Sequence, residues 1–230
     1  MEGFTVQPTK QTNTDKMKPV LFIISILFLS SPAFSQNPGD AKTILDKTHA
    51  AYRASEGIRL SFTTSSLDQK GTPSDIQPGE AYIKGDKFKL EMEAMDVWFD
   101  GKTQWVYMKE VNEVNISQPT DQEVASISPM ALLSMYKSGY TLREPVSDTV
   151  NGKNAYRIEM FPDSAPRDFQ SVAVSIDKTS HQLLQVILTF NNGQKTRIDI
   201  TKYNANYKFL DNEFTFDSNA HPGVEIVDLR

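Results

Sequence analysis

Cysteine is absent from the 230 residues, and that one absence closes off several kinds of chemistry. It excludes a thiol nucleophile, a cysteine-ligated metal and a disulfide framework. It also excludes attachment through an acylated cysteine at a processing site. Histidine is scarce: His49, His181 and His221 are spaced so that no two share one ion, and neither a metal nor a cofactor is expected. No nucleophile elbow, phosphate-cradling glycine loop or calcium loop occurs, so the chain does not read as an enzyme. A basic excess is missing too. The formal net charge of −5 argues against nucleic acid and against an anionic lipid surface as partners.

Long apolar runs are equally rare. The one such run, Val20 to Leu29, is too short for a stable membrane-spanning helix, which needs roughly 20 residues. Met17-Lys18 before it and Ala33-Phe34-Ser35 after it give the basic start, oily middle and small-residue end of a cleavable export signal. Residues 1–35 are therefore expected to be removed before Gln36, with Met17 as the expected true start. Residues 36–230 then form one exported domain, long enough to bury a continuous core.

What is present is alternation. Asp40 precedes a helical pattern over 41–54, and from Ile58 onward the period changes from that of a helix to that of antiparallel strands. Phe88, Leu90 and Met92 alternate with Lys87, Lys89, Glu91 and Glu93, which predicts one dry and one charged face. Asp100-Gly101, Asn151-Gly152 and Asn192-Gly193 each separate two such stretches and suit tight hairpin turns. A further turn is expected at Asp177–Ser180, and the cluster Gly71–Gly79 reads as a long hairpin tip. The fold class is therefore mainly β: a single large curved antiparallel sheet of roughly eight to eleven strands, with short helices. Asp86, Glu91, Glu93, Asp96 and Asp100 are expected on its solvated outer face rather than as a catalytic pair.

Between Pro119 and Gly139 the rhythm breaks. Thr120 with Glu123 makes a capping-box pattern, and Ser128-Pro129 starts a second helix that Gly139 ends. That second segment, through Met130, Leu132, Leu133, Met135 and Tyr136, is apolar nearly all round and must be enclosed or cover something oily. Large apolar side chains are also concentrated just before it, in Phe88, Leu90, Met92, Val97, Trp98, Phe99, Trp105 and Tyr107. For any one of these an ordinary core position is the plain reading. Together with deformable methionines and an oily helix, they make an apolar ligand cavity with a lid the functional expectation.

The order of these pieces resembles the periplasmic lipoprotein carrier family, LolA. The resemblance rests on Asp100-Gly101-Lys102-Thr103-Gln104-Trp105-Val106-Tyr107, on Glu113–Gln118, and on Ser128-Pro129-Met130-Ala131-Leu132-Leu133. It continues through Asn192-Gly193-Gln194-Lys195-Thr196, Glu213-Phe214-Thr215-Phe216 and Pro222-Gly223-Val224, so that it spans about Asp40–Arg230. It implies an incomplete β-barrel with short helices as plug or lid, and acyl chains of lipoproteins as cargo. The implied partners are an inner-membrane ABC-type release complex and an outer-membrane acceptor, with a monomeric, unanchored carrier in the periplasm. One departure stands out: where family members carry Arg-Pro, with the arginine holding the lid, this chain has Lys84-Gly85. Lys84 is thus the expected latch position, with a weaker fork-less cation. The alternative reading is a relative of the same fold that binds another lipid or acts as a sensor.

Overall fold

The computed structural model describes residues 40–120, 123–124, 133–137, 139–164, 169–210 and 212–230. It begins with α1 (Ala41–Ala54), whose buried side chains Ala41, Ile44, Leu45, Thr48 and Tyr52 recur every three or four residues. Thr48 is tolerated on that dry face because its hydroxyl donates to the Ile44 carbonyl at 3.0 Å. Asp40 occupies the N-cap position, but its carboxylate makes no capping bond. The start of the helix is held by the packing of Ala41, Ile44 and Leu45 instead.

Among the described residues thirteen strands make one open, curved sheet. The first meander comprises β1 (Ile58–Leu67), β2 (Pro73–Lys84), β3 (Lys87–Met92), β4 (Met95–Phe99), β5 (Gln104–Met108) and β6 (Glu113–Ser117). The second comprises β7 (Tyr140–Leu142), β8 (Val146–Val150), β9 (Lys153–Pro162), β10 (Phe169–Asp177), β11 (Leu183–Phe190) and β12 (Lys195–Asn204). They join where β12 pairs with β1, and β13 (Glu225–Asp228) adds in parallel beside β6. The count exceeds the expected eight to eleven for identifiable reasons. The stretch from Tyr140 to Val150 is broken in two around Pro145, which cannot donate to a ladder, and β13 follows the turn at Gly223.

The turns follow their chemistry. Asn151 and Gly152, both with positive φ, form the tight link between β8 and β9 that the strand twist favours. The Asp177 carboxylate receives the amides of Thr179 and Ser180, both at 2.8 Å. Gly71–Gly79 differs from its expected role as a loop: only 68–72 turn, and Pro73 to Gly79 already belongs to β2. Its prolines fit because β3 pairs with β2 only from Gly79 onward, leaving 73–78 with a neighbour on one side.

Alternation sends one side of most strands into a common core. Ile58, Leu60, Ile83, Phe88, Ile158, Met160, Val174 and Ile176 are buried there with Leu45 of α1 and with Leu133. Each such side chain, fully buried, contributes about 1.5–3 kcal/mol. Of the carboxylates expected on a solvated outer face, Asp86 and Glu93 are exposed, whereas Glu91, Asp96 and Asp100 are half-buried, because much of the opposite side of β2–β5 is covered. Residues 205–210 and 212–224 lie over it, with Tyr207 and Phe209 against Tyr82 and Phe216 against Trp98, and Phe214 is itself buried. Lys89 bridges Glu91 at 2.7 Å and Glu213 at 3.3 Å, and Lys109 pairs with Asp96 at 2.8 Å. These carboxylates are matched with cations rather than with one another.

Candidate functional site

The register aligns the inner-face side chains in rows across the first meander. Ile58, Ile83, Phe88 and Phe99 stand side by side, and so do Leu60, Ala81, Leu90 and Val97. A third row runs Phe62, Gly79, Met92. The rings of Phe88 and Phe99 lie 5.3 Å apart at 31°. Leu133 and Tyr136 are buried against this face, while Met92, Val106 and Met135 pack on it half-buried. The whole surface offers dispersion contacts, with flexible thioethers at its margin. Among the described residues this face is built almost wholly of aliphatic and aromatic side chains.

A few polar bonds tie the segment 133–137 to α1. The Tyr136 hydroxyl donates to Asp46 Oδ1 at 2.6 Å, and Lys42 Nζ lies 2.7 Å from the other carboxylate oxygen. Bonds from Lys42 and then Tyr136 hold the Asp46 carboxyl below its ordinary range. Burial, and after it the bond to Asp46, pushes the Tyr136 phenol up. Next to this pair, Lys137 Nζ sits 3.1 Å from His49 Nε2. Burial first, then the neighbouring cations Lys137 and Arg53, lowers the His49 pKa. Met135–Lys137 forms a single 3-10 turn, and Gly139 follows with φ +74°.

The structure divides the predicted site residues. Phe88, Leu90, Met92, Val97, Phe99, Leu133, Met135 and Tyr136 meet in one cluster. Trp98, Trp105 and Tyr107 point the other way, which corrects their grouping with the lining. Trp98 pairs with Trp105 across β4 and β5, and Asp96 with Tyr107, on the face opposite Val97 and Val106. There Trp98 meets Phe216 at 5.4 Å, and Tyr107 meets His221 at 4.5 Å. Met130 and Leu132 lie outside the described residues. Lys84 is exposed at the β2–β3 turn, and among the described residues its side chain makes no hydrogen bond or ion pair.

Sequence reasoning missed Asp46, His49 and Lys137 as the tether, and the aromatic residues of 205–224 as a cover. The first group carries no local signal, because its members lie about 90 residues apart. The second was legible in part: strict alternation through Val97-Trp98-Phe99 already forbids all three from sharing a face. Among the described residues no group of three histidine, aspartate or glutamate side chains is placed to hold a metal ion.

Comparison with known proteins places this arrangement. The profile of the family described as outer membrane lipoprotein carrier protein LolA matches residues 30–194. An uncharacterised conserved protein of Thermus thermophilus has a similar fold, with a TM-score of 0.57 at 12% identity, over 82% of this chain and 98% of that one. A LolA superfamily protein of Nitrosomonas europaea superposes with a TM-score of 0.43 at 12% identity, covering 78% and 99%. Lipoprotein LppX of Mycobacterium tuberculosis superposes with 0.45 at 11% identity, covering 73% and 98%. No curated protein matches the chain. With the profile covering well over half of its length, the chain belongs to the LolA outer membrane lipoprotein carrier family.

Proposed function

We propose that this protein is a periplasmic carrier, not an enzyme, which takes up the acyl chains of lipoproteins against the inner face of its sheet. Residues 1–35 serve as a cleaved export signal, and residues 36–230 are the carrier domain. It receives cargo from an inner-membrane ABC-type release complex, crosses as a monomer and hands over to an outer-membrane acceptor. The observation that carries this reading is the apolar face of β1–β5, roofed by α1 and by the Leu133–Lys137 segment. A dozen methylenes moved from water to that face are worth about 10 kcal/mol, enough to hold an acyl chain in transit. The polar contacts that tie the Leu133–Lys137 segment to α1, Tyr136 to Asp46 and Lys137 to His49, are individually weak, which keeps movement of this segment accessible for release.

The test is stoichiometric displacement of a fluorescent fatty acid by a palmitoylated peptide. Wild-type protein is expected to bind one complement of acyl chains without turnover. Leu133→Glu, which sets a charge on the inner face, is expected to weaken uptake at least tenfold with the sheet still folded by circular dichroism. Unchanged uptake in that variant, or no displacement at all, overturns the proposal. The bare, exposed Lys84, where the family has an arginine latch, favours a second reading in which the cargo is another lipid. Mass spectrometry of what co-purifies from the periplasm separates the two.

A further inference from the structure

On the outer side of the second meander lies a groove of about 560 Å³ that the apolar face does not share. Residue size makes it. Across β9 to β12 the register sets Glu159, Ala173, Ile187 and Arg197 in one row. The methyl of Ala173 and the compact Ile187 in the middle, between the long Glu159 and Arg197 at the ends, leave a trough. With strands about 4.8 Å apart the row spans about 14 Å, the reach of four or five extended residues. Phe161 closes one side, with the Arg143 guanidinium 4.5 Å above its ring.

The charge of the lining runs against that of the chain. Arg143, Arg157, Lys195 and Arg197 line the groove with a single carboxylate, Glu159, in a protein of net charge −5. Glu159 lies 3.1 Å from Arg157 and 3.5 Å from Arg143, and Asp199, beside the groove, takes Arg197 at 2.7 Å. Lys195 is exposed and, among the described residues, has no ion pair. Two positive charges are left over. Uncharged hydrogen-bonding side chains, Gln185, Ser171 and Thr189, fill the floor between them.

We propose that this groove is a docking site for an acidic, extended polypeptide segment of a partner protein. A recess with basic rims and an amide- and hydroxyl-bearing floor complements a protruding chain with carboxylates and free backbone groups. A membrane surface, being flat, reaches the rims and not the floor. The site is on the opposite face from the acyl lining and does not rest on the carrier reading.

The experiment is fluorescence anisotropy of the full chain with a labelled peptide alternating Glu and Phe, and with its Lys-for-Glu counterpart as control. The acidic peptide is expected to bind saturably, about tenfold more tightly than the control, and to weaken as added salt shortens the screening length to about 10 Å at 0.1 M. Lys195→Glu and Arg143→Glu, both at exposed positions, are each expected to lower affinity about tenfold, while Leu133→Glu leaves it unchanged. Amide shifts on peptide addition are expected at Ala173 and Ile187. Equal binding of both peptides, wild-type affinity in both charge-reversal variants, or no saturation at millimolar peptide overturns the proposal. So does tighter binding to phosphatidylglycerol vesicles that the same two variants abolish, which assigns the basic rims to lipid.

Discussion

Tyr136 and Asp46 are joined by a 2.6 Å hydrogen bond across 90 residues of sequence, and this contact fastens the Leu133–Lys137 segment to α1. Its donor is a phenol whose ring is buried in the core and whose hydroxyl reaches out to an exposed carboxylate. Tyr136→Phe removes the bond and keeps the ring. The expected loss in global stability is about 1 kcal/mol or less, since the freed carboxylate returns to water. The local effect is larger: amides of 133–137 are expected to exchange faster, while those of α1 and β3 keep their protection. Unaltered exchange in 133–137 removes the bond from the tether.

Acidification is expected to act on the same place through His49. Its pKa is depressed, by burial first and then by Lys137 and Arg53, with Asp46 and Asp86 opposing. A histidine lowered in the folded state binds its proton more readily when released. Its contribution is therefore complete above the free value of 6.5 and is lost as the pH falls through the lower folded value. Asp46, also lowered, stays ionised over this window and loses its part only below 3.8. Exchange in 133–137 should quicken below pH 6.5 in the wild type. His49→Gln keeps a polar partner for Lys137 without a titrating charge and should flatten that dependence. A steep profile in the variant assigns the effect to another group.

The cover formed by 205–210 and 212–224 has its own test. Phe216 is half-buried, stands edge-on to Trp98 at 5.4 Å and is stacked with His221 at 4.7 Å. Phe216→Ala is expected to cost about 2 kcal/mol in urea unfolding, roughly half of a full core deletion. Tryptophan emission should shift to the red as water reaches Trp98. Acyl uptake should be unchanged, because Trp98 lies on the far side of the sheet from Val97 and Phe99. A parallel loss of uptake would return this face to the binding site.

The comparison between sequence and fold turns on range. Helix α1, the hairpin dipeptides and the inner residues Phe88 and Leu90 are fixed by neighbours within a few positions, through period and turn chemistry, and were legible. The capping box was as well: the Thr120 amide donates to Glu123 Oε2 at 2.7 Å. What escaped depends on distant partners. Whether the charged side of β3 faces water is decided by Glu213, more than a hundred residues away, and no local pattern in Lys89 or Glu91 records it. The second apolar segment gave the right neighbours in Leu133 and Tyr136, although Met135–Lys137 forms a single 3-10 turn rather than the end of a longer helix. Lys84 was named through likeness to a family pattern, and likeness does not carry a hydrogen-bond partner with it.

Gly79 offers the sharpest check on how closely the inner face is packed. It pairs with Phe62, and a Cβ at this position would run into the Phe62 ring. That ring is buried, part of the core cluster, and cannot swing freely into water. Gly79→Ala is therefore expected to destabilise by about 1–3 kcal/mol, although the backbone there is not left-handed and Ala is the better residue for an ordered chain. Phe62→Leu in the same chain should recover part of the loss, since a smaller side chain leaves room for the methyl. Coupling between the two substitutions in a double-mutant cycle is the quantity to measure. Simple additivity would mean that the ring already has space to move, and that this part of the inner face is looser than its contacts imply.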